Sequence, residues 1–222
     1  MLVKDYMTRH PILVEPSLRV TEAQAIMVEN RIRHLPVVGD GKRLLGLVTR
    51  QRLAIYPDRL ASLDVWEITR HLNELTVGKV MITGADLHVI DPQATLEDAA
   101  HVMIANKIGG LPVVEDNVVA GIITDTDLLV ELGNLLGAIE PGFRVTMRVP
   151  DRMGEFRKLL RAISDRGWGV MAMGSVRSPK HPDQWDLVVK VRHCSRDELA
   201  AALQEIPDQQ IVDLRETASV PA

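Results

Sequence analysis

Cysteine is almost missing from this chain: Cys194 is the only one in 222 residues. That excludes an internal disulfide and points to a reducing compartment. Aromatic residues are only 3% of the sequence, so any core has to be assembled from Val, Ile, Leu, Met and Ala. No Lys/Arg block interrupts the chain and its net charge is −4, which gives no concentrated positive field for nucleic acid. No apolar run approaches the roughly 18 uninterrupted residues of a membrane span. The N-terminal stretch MLVKDYMTRHPILVEP scatters charges where a signal peptide needs a continuous apolar segment. The expectation is a soluble, cytoplasmic protein. Apolar residues at 46% and charged residues at 25% give an ordinary globular balance, and the length suits two or three small units.

What the chain does contain is an internal repeat. Asn30-Arg31-Ile32-Arg33-His34-Leu35-Pro36-Val37-Val38 matches Asn106-Lys107-Ile108-Gly109-Gly110-Leu111-Pro112-Val113-Val114 at an offset of 76 residues. The same offset pairs Pro16 with Pro92, Ala23 with Ala99 and Met27 with Met103, and Gly46-Leu47-Val48-Thr49 answers Gly121-Ile122-Ile123-Thr124 one residue out of register. In the second copy Leu96, Ala99, Ala100, Met103 and Ile104 recur at helical spacing behind Thr95, a capping residue with Asp98 three positions on. Leu111–Val114 and Val118–Ile123, joined by Glu115-Asp116-Asn117, read as a hairpin, and Thr124 opens a helix over Asp125–Leu136. Each copy thus reads strand, helix, strand, strand, helix. A unit this small buries little surface alone, so the two copies are expected to pack together. Between them, Ala54–Thr76 carries Asp64-Val65-Trp66-Glu67 as a helix start and an apolar stripe of Ile68, Leu72 and Leu75, an inserted helix.

Met7-Thr8, Met81-Ile82-Thr83, the two Leu-Pro-Val-Val strands and the Gly-x-x-Thr segments make residues 1 to 137 resemble a pair of CBS domains. That resemblance implies a compact module with two clefts about a pseudo-twofold axis, and an adenine nucleotide as regulatory ligand in place of a prosthetic group. The family's nucleotide signature, a Thr followed three residues later by Asp, is intact at Thr124–Asp127. A carboxylate there can accept from both ribose hydroxyls and the Thr hydroxyl can approach sugar or phosphate; the same pair also reads as a capping box that needs no ligand. The first copy keeps Thr49 but has Arg52 in the Asp position, and arginine has no acceptor. Arg52 is either a phosphate contact or a solvated side chain, so one competent ribose site is expected, with Thr8, Thr49 and Arg52 as a weaker second one. The resemblance places Arg33 and His34 on the nucleotide phosphates, with a buried structural role for His34 as the alternative. Gly109 and Gly110 are read as admitting a ligand close to the backbone. The adenine is expected against Thr83, Ile108 and Leu111, with Pro112 beside them.

From Gly142 the pattern changes. Phe143–Val149 alternates like a strand, Pro150–Gly154 is a turn, and Glu155–Ser164 has helical spacing. Strands at Val170–Val176 and Leu187–Val191, a helix around Leu199–Leu203 and a strand at Ile211–Leu214 complete a βαββαβ, ferredoxin-like order. This stretch resembles an ACT domain, on Asp151-Arg152-Met153-Gly154 in place of the family's Asp-x-Pro-Gly loop. The resemblance implies dimerisation or amino-acid binding, with Asp151 and Gly154 as ligand residues and a helix N-terminus to receive a carboxylate. Gly169 stands where amino-acid-binding members carry Asn.

The implied fold class is α/β (α+β): two CBS repeats and a ferredoxin-like domain. Its boundaries are 1–56 for the first repeat, 57–76 for the inserted helix, 77–138 for the second repeat, 139–142 for a linker, 143–216 for the ACT-like domain and 217–222 for a tail. This organisation is similar to that of the acetoin-utilisation regulatory (AcuB-like) family. The seven histidines are scattered, His193-Cys194 lacks spaced metal ligands, and no phosphate loop or nucleophile elbow occurs. A non-enzymatic sensor is therefore expected, acting through a homodimer or an unidentified protein target, with no metal and no catalytic residue. A scaffold with vestigial clefts and an enzyme of acetoin metabolism are the alternatives. Leu128–Leu136, apolar on most sides, is expected to be buried, with a homodimer interface as one way of covering it.

Overall fold

The computed structural model describes residues 1–53 and 75–217. The inserted helix expected over Ala54–Thr76 lies outside the described residues, apart from Leu75 and Thr76, as does the tail beyond Thr217. The chain forms two compact units, Met1–Leu128 and Leu129–Ala222. Among the described residues no helix is long and apolar enough to cross a membrane.

The first unit contains α1 (Val3–Tyr6), β1 (Thr8–Arg9), α2 (Val20–Glu29), β2 (His34–Val38), β3 (Leu44–Thr49), α3 (Val77–Val80), α4 (Leu96–Asn106), β4 (Gly110–Glu115), β5 (Val118–Thr124) and the start of α5 (Asp125–Leu135). The duplicated helix and hairpin form in both copies. Thr95 caps α4, accepting from the Asp98 N–H at 3.1 Å while its own N–H donates to the Asp98 carboxylate at 3.0 Å. Both α2 and α4 end the same way. Asn30 and Asn106 donate side-chain hydrogen bonds back to Ile26 and Val102, each 2.8 Å, and Arg31 and Lys107 turn into the left-handed region at φ 54°. Ile32 and Ile108 then close back onto Met27 and Met103, so the repeated Asn-basic-Ile is helix-termination chemistry. The strand expected at the head of each copy shrinks to one parallel bridge, Val14 to Val37 and Ile90 to Val113. Pro16 and Pro92 stand two residues on, and proline has no N–H to extend a ladder.

The two copies exchange their leading segments. Val3 is fully buried in the core of the second copy, among Ile90, Leu96, Ala99, Met103, Leu111, Val113 and Ile123. Val77 is fully buried in the core of the first, among Val14, Val20, Ala23, Met27, Leu35, Val37 and Val48. The backbone follows: Val3 and Lys4 donate to Ala94 and Pro92, Val77 and Gly78 donate to Leu18 and Pro16. Strand β1 pairs with β5, Thr8 opposite Ile122 and Arg9 opposite Gly121; Ile82 pairs with Leu47 of β3. The exchange explains the Met-Thr and Gly-x-x-Thr motifs together. A Cβ on Gly46 would stand 2.7 Å from the Ile82 carbonyl and 2.8 Å from the Met81 sulfur, and one on Gly121 would stand 2.9 Å from the Thr8 carbonyl and closer still to the Met7 sulfur. Glycine is what lets the other copy's Met approach.

The second unit has β6 (Gly142–Pro150), α6 (Glu155–Ser164), β7 (Gly169–Arg177), β8 (Gln184–Arg192), α7 (Arg196–Gln204) and β9 (Gln210–Thr217). Its sheet runs β7-β8-β6-β9, antiparallel throughout, which is the expected ferredoxin-like plan. Val145, Met147, Val149, Leu187, Val189 and Val191 point to one face and are fully buried with Leu159, Ile163, Leu199 and Leu203 of the two helices. Within the single chain, helix α5 is exposed along Leu129, Val130, Leu132 and Leu135, at 51–66% of their surface. Strand β8 ends at Arg192, and His193 sits in the following turn with φ 65°.

Candidate functional site

The first unit holds a cavity of about 1250 Å³. Thr49, Arg50 and Arg52, from the end of β3 onward, form one wall, Ile82, Asp86 and His88 another, and Ile108, Gly109 and Gly110 a third. Arg33, His34, Lys79, Lys107 and Asp125 also reach it. Its lining carries five cationic side chains against two carboxylates, one of which, Asp125, is already paired with Arg33 at 2.7 Å.

Thr124 and Asp127 stand apart from that cavity, at the head of α5. The Thr124 N–H and hydroxyl each donate to Asp127 Oδ2 at 2.7 Å, and the Asp127 N–H donates to Thr124 Oγ1 at 3.4 Å. That is the capping box. It leaves Asp127 Oδ1 with no donor among the described residues.

The segment exchange divides the anticipated residues differently from their order in the chain. Thr8 lies beside Arg9 in β1, paired with β5 just before Thr124. Thr83 follows Ile82, which is paired with β3 before Thr49. Thr83 is therefore brought to the Thr49–Arg52 motif and Thr8 to the Thr124–Asp127 motif, the reverse of the grouping expected from sequence. Leu111 and Pro112 are buried, Leu111 completely, in strand β4, so neither offers a face for adenine. Ile108 is half-buried and does line the cavity.

Gly109 and Gly110 also have a different use from the one anticipated. A Cβ on Gly110 would stand 3.1 Å from the His34 ring, and one on Gly109 would stand 2.9 Å from the Asp125 carboxylate. The glycines make room for protein side chains. His34 and Gly110 are repeat equivalents facing each other across the seam between the copies, where only one imidazole fits. Arg33 spans the same seam, donating to Asp125 at 2.7 Å and Thr126 at 3.3 Å. The backbone matches: Asp125 N–H donates to the Gly109 carbonyl at 3.0 Å and Arg50 N–H to the Arg33 carbonyl at 2.9 Å. Sequence reading missed Arg50, Lys79, Lys107 and Asp125. For the first and last, the only signal was adjacency to the Gly-x-x-Thr motifs.

Burial of the ring lowers the pKa of His34 below its ordinary 6.5; the Arg33 charge adds to this and the Asp125 carboxylate opposes it. The unfolded chain therefore takes up this proton first as pH falls. Stability contributed by the neutral ring is complete above about pH 6.5 and is lost progressively below it. Urea melts at pH 7.5 and pH 5.5 should show a smaller acid-induced drop for His34→Gln than for the native chain; an equal drop would place the sensitivity elsewhere.

At the start of α6, Gly154 adopts φ 90° with open space around its Cβ position. Asp151 is paired with Arg177 at 3.1 Å and Arg152 with Asp208 at 2.8 Å. The next residue, Glu155, is only 2% exposed and accepts from Lys158 at 2.8 Å and Gln209 at 3.0 Å. Burial works to raise its pKa, but the hydrogen bonds from Lys158 and Gln209 and the charges of Lys158 and Arg152 outweigh burial and hold it below the ordinary value. A protein carboxylate thus already stands at the helix start where a ligand carboxylate was anticipated. A side chain in place of Gly169 would meet Arg192, whose Nε lies 2.9 Å from the Cβ position.

The CBS-domain profile matches residues 3–57 and 77–134, just over half of the chain. The chain belongs to the CBS-domain family. The CBS pair superposes on a Vibrio cholerae protein named AcuB, for acetoin utilization, with TM-score 0.51 and 37% identity, covering 62% of this chain and 93% of that one. The CBS pair of protein MJ0100, solved with 5′-methylthioadenosine and S-adenosyl-L-methionine, matches with TM-score 0.50 and 27% identity, covering 60% and 97%. CBSX2 of Arabidopsis thaliana, solved with AMP, matches with TM-score 0.50 and 28% identity, covering 60% and 96%. The chain spans only 22% to 60% of the first curated relatives it matches, one of which carries an enzyme name.

Proposed function

We propose that this CBS protein is a non-catalytic cytoplasmic regulator that binds one adenosine-containing ligand, an adenine nucleotide or S-adenosylmethionine, at the Thr124–Asp127 end of the pair. The observation that carries the reading is the intact motif with Asp127 Oδ1 left open, in a fold whose solved relatives hold AMP, 5′-methylthioadenosine and S-adenosyl-L-methionine. Asp127 takes the ribose hydroxyls, Thr124 and Thr8 flank the sugar, and Arg33, already on the first turn of α5, supplies the phosphate contact. Thr83 moves to the Thr49–Arg52 cleft, where Arg52 replaces the ribose carboxylate. Calorimetric titration of AMP, ADP, ATP and S-adenosylmethionine into native chain and Asp127→Ala tests this. The closed capping box favours a second reading, a scaffold without ligand. No saturable heat from any of the four would leave that reading in front.

The two motifs differ at one decisive position, which gives a gain-of-function expectation. Arg52 is exposed, and its N–H donates to Thr49 Oγ1 at 3.3 Å, the counterpart of the Asp127 N–H bond to Thr124 in the second copy. Arg52→Asp restores the acceptor, so the titrated stoichiometry should rise from one site to two. A stoichiometry fixed at one would mean that the first cleft excludes adenosine for another reason.

The C-terminal unit is assigned to the ACT fold, with self-association as its role. The buried Glu155 at the head of α6 disfavours an amino-acid carboxylate at Asp151 and Gly154. The exposed apolar side of α5 supports a homodimer.

A further inference from the structure

The open face of the C-terminal sheet carries a row of cations that the proposed nucleotide site does not use. In the ladders Arg144 is directly opposite Lys190 of β8 on one side and Arg215 of β9 on the other. Direct cross-strand neighbours share a face, and like charges so placed repel. Asp213 compensates one end of the row, at 2.7 Å from Arg215 and 3.3 Å from Arg144. The Lys190 end has no such partner among the described residues. Lys190 is 2% exposed, and no carboxylate among the described residues lies within ion-pair distance of it. Its ammonium donates one hydrogen bond to the Gly137 carbonyl, which leaves two protons for other acceptors. Burial lowers its pKa, opposed only by the more distant charge of Glu140. A buried cation is costly unless an anion accompanies it.

Beside Lys190 and Arg144 lies a cavity of about 450 Å³, closed on the other side by Leu136, Gly137 and Ala138 after α5 and reached by Thr217. All of these residues belong to the second unit. Gly137 is required there: its φ is +69°, and a Cβ would stand 2.9 Å from the Lys190 side chain. We propose that this cavity is a second ligand site, for a small organic carboxylate, whose anionic group lies between Lys190 and Arg144 and whose short apolar body rests on Leu136 and Ala138. The ammonium and the guanidinium fork suit a planar carboxylate, and the aliphatic wall calls for carbon beyond it. The site is independent of the nucleotide reading, being formed by other residues of another unit.

Lys190 also has a structural occupation, since a cation on the Gly137 carbonyl caps the C-terminal end of α5, and the test has to separate the two. Acetate, propionate and lactate, with inorganic phosphate as comparator, are titrated into the full chain in chloride buffer and followed by NMR. The expected result is saturable binding of at least one acid, weakened about tenfold or more in Lys190→Met and Arg144→Gln. Because Lys190→Met also removes the cap, Gly133→Leu is the deciding variant. Gly133 lines the cavity, a Cβ there would meet only Ala138, at 3.7 Å, and leucine is the better helix former. Gly133→Leu should lose acid binding with an unchanged or raised melting temperature and intact adenosine-ligand binding. No saturation by any of the three acids, undiminished binding in Gly133→Leu, or phosphate binding more tightly than the acids would each overturn the assignment.

Discussion

Asp127→Ala should weaken the adenosine ligand by roughly 10- to 100-fold while costing the free protein only about 1 kcal/mol. The two magnitudes come from different uses of one carboxylate. Oδ2 accepts from the Thr124 N–H and hydroxyl, both at 2.7 Å, and loss of a helix cap of this kind costs about 1 kcal/mol. Oδ1 is the acceptor left for ribose, and a hydrogen bond to a charged group contributes about 1.5–3 kcal/mol, which is the stated fold-change in affinity. A capping role alone predicts the stability loss without the binding loss. Asp127→Asn sharpens the separation, because it keeps an acceptor for the Thr124 N–H and removes the charge. If calorimetry shows the same dissociation constant in native and Asp127→Ala proteins, ribose is not held here and the motif is a cap. Thr8→Val should give a smaller weakening at the same site, and Thr83→Val none, since β1 delivers Thr8 to the second motif while Thr83 follows Ile82 to the first.

That last contrast marks what sequence could and could not show. The duplicated helices and hairpins were legible because their signals are local: Thr95 with Asp98, the heptad-like run from Leu96 to Met103, and the Leu-Pro-Val-Val strands. The same holds for the C-terminal unit, where the alternation from Phe143 to Val149 and the helical spacing after Glu155 set the element order. The exchange of α1 and α3 was not legible. Val3 and Val77 each begin a four-residue helical turn, and nothing in a four-residue apolar pattern says which of two similar cores it enters. The site inherited that ambiguity, so Thr83 was grouped with the wrong motif. Gly109 and Gly110 misled in another way. A glycine tells that something comes close, and only the structure names His34 and Asp125 as what does.

Val3→Asp and Val77→Asp should each destabilise the chain by several kcal/mol, and each should loosen the copy to which it does not belong in sequence. Both valines are fully buried, Val3 against Ala99, Leu111 and Ile123, and Val77 against Ala23, Leu35 and Val48. A carboxylate there finds no described cation in the cluster, and burying a charge unpaired costs several kcal/mol, a large part of the 5–15 kcal/mol typical of a folded protein. Hydrogen exchange locates the damage. Val3→Asp should expose the amides of α4, β4 and β5 first, Val77→Asp those of α2, β2 and β3. Loosening confined to a variant's own copy would refute the exchange. The functional consequence is equally asymmetric. Val3→Asp displaces α1 and with it β1, which holds Thr8 beside the Thr124–Asp127 motif, so adenosine-ligand affinity should fall although Val3 is not itself a site residue. Val77→Asp displaces the segment leading to Ile82 and Thr83, on the Thr49–Arg52 side, and at temperatures where the chain stays folded it should leave affinity at Asp127 near native. A pair of mutations alike in chemistry, burial and energetic cost would then differ in function for one reason: the copy into which each segment is exchanged.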